Sequence, residues 1–318
     1  MNIVILDGYV ANSGDLSWKG ITQLGETTIY DRTPPDLVFD RAKQAEILVV
    51  NKVVLDETML NKLSPKLKCV CTLATGYNNI DVKTAQKCGI TICNAIGYGS
   101  PSVAQHVFAL LLQLTNQVAL HNQSVQNNEW ANSKDWSYTK SPMMELAGKT
   151  IGVYGTGQIG QQVIKIAMAF DMNILAVRKN PNKPTPQYVK LVDIPTLFGK
   201  SDVLTLHAPL TYENTHIVNR KTLSIMKPTA FLINTGRGGL VNEADLREAL
   251  LYGSIAGAAL DVLSEEPPPQ NHLLLNLPNC IITPHLAWAT RESRSRLIQI
   301  VADNIEAFLK GKPQNVVS

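Results

Sequence analysis

Apolar residues fall along this chain in short blocks separated by polar, turn-rich stretches. The blocks at 2–6, 47–51, 68–72 and 90–93 have the length and β-branched character of buried strands. Between them the period changes. Asp36 to Glu46, Asp56 to Leu63 and Asp81 to Cys88 set apolar residues at helical spacing, with Pro65 stopping the second stretch and Gly89 the third. Strands alternating with short helices predict a parallel α/β sheet.

From 98 to 146 the pattern differs. Ser100-Pro101-Ser102 marks a helix start, and Val103 to Leu112 is a long apolar helix. The polar stretch after it holds Trp130 and Trp136 and shows no packing period. A long loop inside a compact domain needs a reason, and tryptophan is enriched in interface cores. Residues 100–146 are therefore expected to form a homodimer contact; the alternative is that both tryptophans cover a domain junction.

Thr150 to Asn180 is the stretch around which the rest is organised. The apolar run Ile151-Gly152-Val153-Tyr154 leads into Gly155-Thr156-Gly157-Gln158-Ile159-Gly160. From Ile159 the apolar positions step by three and four through Val163, Ile166, Ala167 and Phe170, and Ile174 to Val177 is a second apolar run. Strand, glycine turn, helix and strand form the unit that holds a dinucleotide. Gly155 permits the tight turn, Gly157 lets backbone approach a pyrophosphate, and Gly160 lets helix and strand pack closely. The first-turn residues Gln158 and Ile159 bring free N–H groups and a partial positive charge to the phosphates.

The alternation then continues: a helix near Ile194–Phe198, a strand at 203–206, a helix around Lys221–Met226, a strand at 230–233, a helix at Glu243–Leu251, and strands at Ile255–Leu260 and 280–283. Every polar cluster follows the carboxyl end of a strand, where ligands bind in such sheets. A last helix, about Arg291–Lys310, has apolar residues at 297, 300, 301, 305 and 308 and is expected to cross back onto the first lobe. The fold class is α/β. A doubly wound parallel-sheet Rossmann domain at 99–287 is joined to a smaller, discontinuous flavodoxin-like domain from 1–98 and 288–318.

Composition narrows the function. A length of 318 residues fits two domains, and a net charge of +3 is too small to argue for nucleic acid or an acidic membrane. The five cysteines, an odd number without a C-x-x-C pair, read as reduced thiols, and no metal site is expected. The N-terminus lacks the features of a signal peptide, no stretch approaches a membrane span, and the cytoplasm is the expected location.

Three residues carry the candidate chemistry: Arg237, Glu266 and His285. Arg237, in Thr-Gly-Arg-Gly-Gly, has room to offer a planar fork of donors to a carboxylate and a neighbouring oxygen. His285, after Thr283-Pro284, is able to exchange a proton near neutral pH. Glu266 is able to bond the other imidazole nitrogen and favour the charged ring. Acid–base group, orienting carboxylate and anion clamp beside a nicotinamide describe a dehydrogenase of 2-hydroxy acids acting on a small molecule. The remaining histidines, His106, His121, His207, His216 and His272, read as residues without chemistry.

These stretches resemble the D-isomer-specific 2-hydroxyacid dehydrogenases over nearly the whole chain. Gly152–Gly160, His207-Ala208-Pro209-Leu210-Thr211, Asn234-Thr235-Gly236-Arg237-Gly238, Leu260-Asp261-Val262 through Glu266-Pro267, and Thr283-Pro284-His285 fall in the family's order and spacing. The resemblance implies that Arg237 binds substrate, Glu266 partners the histidine and His285 is the acid–base. By it, His207, Ala208, Pro209, Thr235 and Gly236 line the cofactor, and Asp261 holds the nicotinamide amide. Within the family, Val50-Asn51-Lys52, Ala74 to Asp81 and His285 to Thr290 are similar to the glycerate dehydrogenases, also called hydroxypyruvate reductases. Lys52, Thr75 and Gly76 then belong to the substrate side, with the Thr75 and Gly76 N–H groups on the substrate carboxylate.

One departure bears on the cofactor. An NAD site places an acidic residue about twenty positions beyond the glycine loop. Here Val177 runs into Arg178-Lys179-Asn180, with Lys183 close behind, and Asp171 and Asp193 lie outside that strand end. The cationic pair Arg178 and Lys179 suits a 2′-phosphate, so the expected cofactor is NAD(P) with NADP favoured. The rivals are a corepressor-like NAD(P)-binding protein on the same fold, a methyltransferase with a similar glycine loop, and a dehydrogenase for a different 2-hydroxy acid.

Overall fold

The computed structural model describes residues 1–180 and 184–317; Lys183 lies outside them. They form two compact units. One comprises Met1–Gly99 with the C-terminal segment from Trp288, the other Ser100–Ala287.

The first unit runs β1 (Asn2–Ile5), α1 (Lys19–Thr22), β2 (Glu26–Ile29), α2 (Val38–Ala42), β3 (Ile47–Val50), α3 (Glu57–Leu63), β4 (Cys69–Thr72), α4 (Val82–Lys87) and β5 (Thr91–Cys93). Its strands are parallel in the order β2-β1-β3-β4-β5, the flavodoxin-like order. Side chains alternate between two cores. Ile3, Ile5, Ile47 and Val49 face Leu297, Val301 and Ile305 of the C-terminal helix, Arg291–Leu309. Val4, Leu48, Val50 and Val70 face Leu60 and Leu63 of α3 and Ala85 of α4. Burial on both faces is why these strands read as unbroken apolar runs. Each such side chain contributes about 1.5–3 kcal/mol. Asp56 and Asp81 cap α3 and α4 by accepting from Met59 N and Thr84 N, worth about 1 kcal/mol apiece.

The sequence pattern missed two elements here. Strand β2 is an edge strand with Glu26, Thr28 and Ile29 exposed, so it carries no apolar run. Helix α1 is four residues long, too short to show a period. The helix expected over Asp36–Glu46 is shorter, a 3-10 turn at Pro35–Leu37 followed by α2. Its end is lost because the Glu46 N–H donates to Asn2 O and enters the sheet.

The second unit runs α5 (Ser100–Asn116), α6 (Val118–Gln126), β6 (Thr150–Tyr154), α7 (Gln158–Ala169), β7 (Asn173–Val177), β8 (Val189–Leu191), α8 (Ile194–Lys200), β9 (Val203–Leu206), α9 (Arg220–Leu223), β10 (Phe231–Asn234), α10 (Glu243–Leu251), β11 (Gly257–Leu260) and β12 (Cys280–Ile282). The parallel order is β12-β11-β10-β9-β6-β7-β8, so the chain reverses direction across the sheet beside β6. That is the doubly wound switch point, where ligands bind. Val107, Phe108 and Leu111 of α5 cover one face with Ile151, Val153 and Ile233, and Phe108 stacks on Phe170 at 5.3 Å.

Helix α6 replaces part of the loop expected after α5. Gln117, at φ +45°, separates the two helices. Val118, Leu120 and Val125 of α6 are exposed, so the helix has no inward apolar period to read. Trp130 and Trp136 are exposed as well. Strand β8 was missed because it is a three-residue edge strand. Helix α9 stops at Leu223 rather than Met226, and β11 begins at Gly257 rather than Ile255. No single helix among the described residues is long and apolar enough to cross a membrane.

Candidate active site

Strand β6 ends in a turn that only glycine can make. Gly155 sits at φ +101°, and a Cβ there would meet Ala208 N at 2.6 Å. A Cβ on Gly160 would meet Gly155 O at 2.1 Å, so α7 lies directly on the loop. Gly157 is the opposite case, with nothing among the described residues within 4 Å of its would-be Cβ. It is the N-cap of α7 and has no side-chain cap bond, so the first-turn amides, beginning at Gln158 and Ile159, keep their attraction for an anion. Two further polar atoms at neighbouring strand ends are buried without a partner among the described residues, Nδ1 of His207 after β9 and Oγ1 of Thr235 after β10. His207 Nε2 faces Thr205 Oγ1 at 2.9 Å, and burial pushes the imidazole down to about 3, so the ring is neutral. Open glycine, uncapped helix and orphaned polar atoms fit a dinucleotide. The exposed Pro209 and the Gly236 turn lie at the same strand ends.

Beyond β7, the Arg178 guanidinium donates to Thr185 Oγ1 at 2.6 Å and to Pro184 O at 3.4 Å. It lines a cavity of about 270 Å³ with Thr156, Gln161, Lys165 and Tyr188. Lys179 is exposed beside it. Asp171 precedes β7, and Asp193 caps α8 by accepting from Thr196 N at 2.9 Å; the Thr196 side chain, with that N–H, holds its carboxyl below the usual range. Neither acid stands at the β7 end.

Two of the three candidate catalytic residues meet directly. His285 Nδ1 lies 2.6 Å from Glu266 Oε2, while Glu266 Oε1 accepts from Leu263 N at 3.0 Å. Both side chains are about one-third exposed, at 31% and 32%. The carboxylate is thus fixed from one side and aligns the imidazole from the other. Arg237 is exposed on the turn after β10, which Asn234 shapes by accepting from Gly236 N and donating to Arg237 O. Its guanidinium donates to Gly236 O at 2.7 Å. The next residue, Gly238, joins this turn to the Glu266 loop: a Cβ there would fall 2.0 Å from Leu263 C. Glu243 holds the same loop, accepting from Ser264 N and Oγ and facing His272 Nε2 at 3.1 Å.

Asp261, expected on the nicotinamide amide, is engaged within the protein. It is 1% exposed, and its carboxylate accepts from Thr283 Oγ1, Leu286 N and Ala287 N. Both oxygens therefore hold the segment that carries His285. His285 itself sits at φ +51°, a left-handed conformation costing a histidine about 1–3 kcal/mol. Sequence reasoning had passed over Thr283 and over His106, whose Nε2 faces Thr283 Oγ1 at 3.1 Å. The signal available was Ser102 and His106, two polar residues four apart on one face of a largely apolar helix.

In the first unit, Asp7 accepts from the Lys52 N–H, and the Lys52 side chain is exposed. The Thr75 hydroxyl donates to Ala95 O at 2.6 Å, and Asn94 donates to Thr75 O at 2.7 Å. That braced turn presents Thr75 and Gly76, whose N–H groups meet no acceptor among the described residues. The sulfurs of Cys69, Cys71 and Cys93 lie within 4.8 Å of one another in the aliphatic core, where contact with the Cys69 and Cys93 sulfurs, and burial after them, push the Cys71 thiol up.

Residues 108–287 match the model for the D-isomer specific 2-hydroxyacid dehydrogenase NAD-binding domain. The chain is 44% identical to a hydroxypyruvate reductase of Blautia hydrogenotrophica, over 100% of both proteins. It is 40% identical to a glycerate dehydrogenase of Methylorubrum extorquens, over 89% of this chain and 88% of that one. A solved acyclic imino acid reductase, in complex with NADPH and D-Arg, superposes with a TM-score of 0.86 at 32% identity, over 100% of both chains. Glycine loop, paired histidine and glutamate, and this likeness along the whole chain place the protein in the D-isomer-specific 2-hydroxyacid dehydrogenase family.

Proposed function

We propose that the protein reduces hydroxypyruvate to D-glycerate, and glyoxylate more slowly, using NADPH in preference to NADH. The observation that carries this reading is the 2.6 Å bond between His285 Nδ1 and Glu266 Oε2. A ring with Nδ1 committed to a carboxylate has Nε2 alone for the substrate. When Nε2 carries a proton it is an acid for a carbonyl oxygen; when bare it is a base for a hydroxyl.

The nicotinamide, when bound, supplies or takes the hydride. Arg237 binds the substrate carboxylate and the oxygen beside it, so positive charge faces the oxygen as it becomes negative. His285 Nε2 delivers the proton to that oxygen and is left neutral, with Glu266 still holding Nδ1. Thr75 and Gly76 are assigned to the carboxylate through their N–H groups, and Lys52 to the same anionic substrate. His207, Ala208, Pro209, Thr235 and Gly236 are assigned to the cofactor. The names of the relatives support a three- or two-carbon hydroxy acid.

The preference for NADPH rests on Arg178 and Lys179 and on the missing carboxylate at the β7 end. Charge-assisted hydrogen bonds of this kind contribute about 1.5–3 kcal/mol. Discounted for exposure, that is about a ten- to hundredfold preference. The protein is further assigned as a cytoplasmic homodimer joined through residues 100–146, where Val118, Leu120, Trp130 and Trp136 are exposed. Its partner is a small molecule, and neither nucleic acid nor membrane enters the reading.

The deciding assay follows NADPH absorbance with hydroxypyruvate, glyoxylate and pyruvate in turn. The expected order of kcat/KM is hydroxypyruvate, glyoxylate, pyruvate. Turnover of another 2-keto acid alone would reassign the substrate, and no turnover with any would favour the corepressor-like reading. Sedimentation at micromolar concentration should give twice the 34.8 kDa chain mass; a fully active monomer would remove the dimer.

A further inference from the structure

We propose that helix α5 positions the acid–base histidine from behind, through Ser102 directly and through His106 by way of Thr283 and Asp261. The proposal deepens the assignment of His285 and rests on it. Ser102 and His106 stand four residues apart and so share one face of α5. The buried Ser102 hydroxyl donates to Ala287 O at 2.6 Å, and His106 Nε2 lies 3.1 Å from Thr283 Oγ1. These contacts fall on the two ends of the five-residue segment whose middle residue is His285.

The proton positions follow from counting donors. The Thr283 hydroxyl has one proton, and it is given to Asp261 Oδ1 at 2.6 Å. An ionised carboxylate only accepts. The Thr283 oxygen must therefore accept at its other contact, so His106 Nε2 carries a hydrogen. Asp261 Oδ1 also takes Leu286 N at 3.0 Å, and Oδ2 takes Ala287 N at 2.9 Å. His285 N donates to Asp261 O at 2.9 Å.

The left-handed His285 backbone persists because this chain of bonds over-determines it. Released, the residue relaxes toward negative φ and its Nδ1 leaves Glu266. Misplacement of about 1 Å at a reacting group can cost about a hundredfold in rate. His106, Thr283 and Ser102 are thus positioning residues. The glycine loop is untouched by them, so kcat falls while coenzyme affinity stays.

The test is a kinetic cycle on the full chain. Thr283→Val keeps the shape and removes the hydroxyl; kcat should fall about 10- to 100-fold with the KM for NADPH within about twofold. Thr283→Ser should recover most of the rate. His106→Phe should lower kcat in the same manner, and His106→Gln, which keeps a nitrogen donor, should restore it. Because the two residues act through one chain, His106→Phe combined with Thr283→Val should be no slower than Thr283→Val alone. Wild-type kcat in Thr283→Val, or additive losses in the double variant, overturns the proposal. An independent arm is the ¹⁵N spectrum of the resting protein, which should show the His106 proton on Nε2; a proton on Nδ1 overturns the proposal. An inactive wild type would sink the substrate reading, while that spectrum would still decide the hydrogen-bond chain.

Discussion

At the end of β1, the first strand of the first unit, the Asp7 carboxylate accepts from the N–H groups of Asn51 at 2.7 Å, Lys52, and Val53 at 3.1 Å. At the end of β6, the first strand of the second unit, no carboxylate stands. Gly155 and Gly157 stand there, and α7 starts without a side-chain cap. Both sheets are parallel and wind outward from that first strand. The first strand of one unit supplies its own anion to the amides that follow β3; the first strand of the other leaves the α7 amides for an anion from outside. The difference teaches that the fold fixes where a site is possible, and a single side chain at the strand end decides whether it is open.

The largest expected effect lies on the open side. His285→Ala should lower kcat by about two to four orders of magnitude, the range for a positioned acid–base. The fall should appear in both directions, since the same Nε2 gives and takes the proton. Near-normal turnover would take His285 out of the mechanism and leave the second unit as a cofactor holder only. Next comes Arg178→Asp, which places a carboxylate at the β7 end. The ratio of kcat/KM for NADPH to that for NADH should drop by about ten- to hundredfold. A wild type preferring NADH, or an unchanged ratio, would remove Arg178 from cofactor choice.

Gly157→Ala separates ligand space from folding space. A methyl there meets nothing among the described residues within 4 Å, and φ is −70°, so stability should hold to about 0.5 kcal/mol. The KM for NADPH should rise about tenfold or more, because the methyl occupies ground meant for the pyrophosphate. A fall in Tm with an unchanged KM would reverse the argument. The mirror experiment is Asp7→Ala in the first unit. Three backbone N–H groups lose an acceptor, at a cost of about 1–3 kcal/mol if left unpaired. Thermal unfolding should show it, with the KM for NADPH unmoved.

The same contrast explains how far the sequence could be read. Buried strands such as β3 and β9 declare themselves because both faces are covered, and the glycine loop does so because its spacing is dictated by a ligand. Edge strands β2 and β8 do not, since half of each faces solvent. The Glu266–His285 pair was legible from residue types placed after strands, and the 2.6 Å bond joins them. The support behind the pair was not. Asp261 carries a sequence signal, but its three bonds are to Thr283, Leu286 and Ala287, more than twenty residues away. His106 looked like any histidine because its contact with Thr283 crosses 177 residues. Long-range polar contacts leave no period.

The smallest effect is electrostatic and belongs to the first unit, which pairs its own charges elsewhere too. Arg294 of the C-terminal helix donates from two nitrogens to Asp15, each at 2.7 Å. The Arg294 hydrogen bond, with the charge behind it, holds the Asp15 carboxyl below its ordinary value. A carboxyl whose folded value is depressed stabilises the fold above the unfolded value, about 3.9, and that contribution is lost as pH falls through the folded value. Asp15→Asn should therefore lower Tm slightly at neutral pH, and the gap to wild type should close as both are titrated below about pH 4. Asp15 is well exposed, so the neutral gap should also shrink in high salt. The NADPH kinetics of the variant should match wild type at pH 7, because this bond seals the first unit and leaves the glycine loop alone. A gap that persists into acid would mean that Asp15 acts by shape rather than by charge.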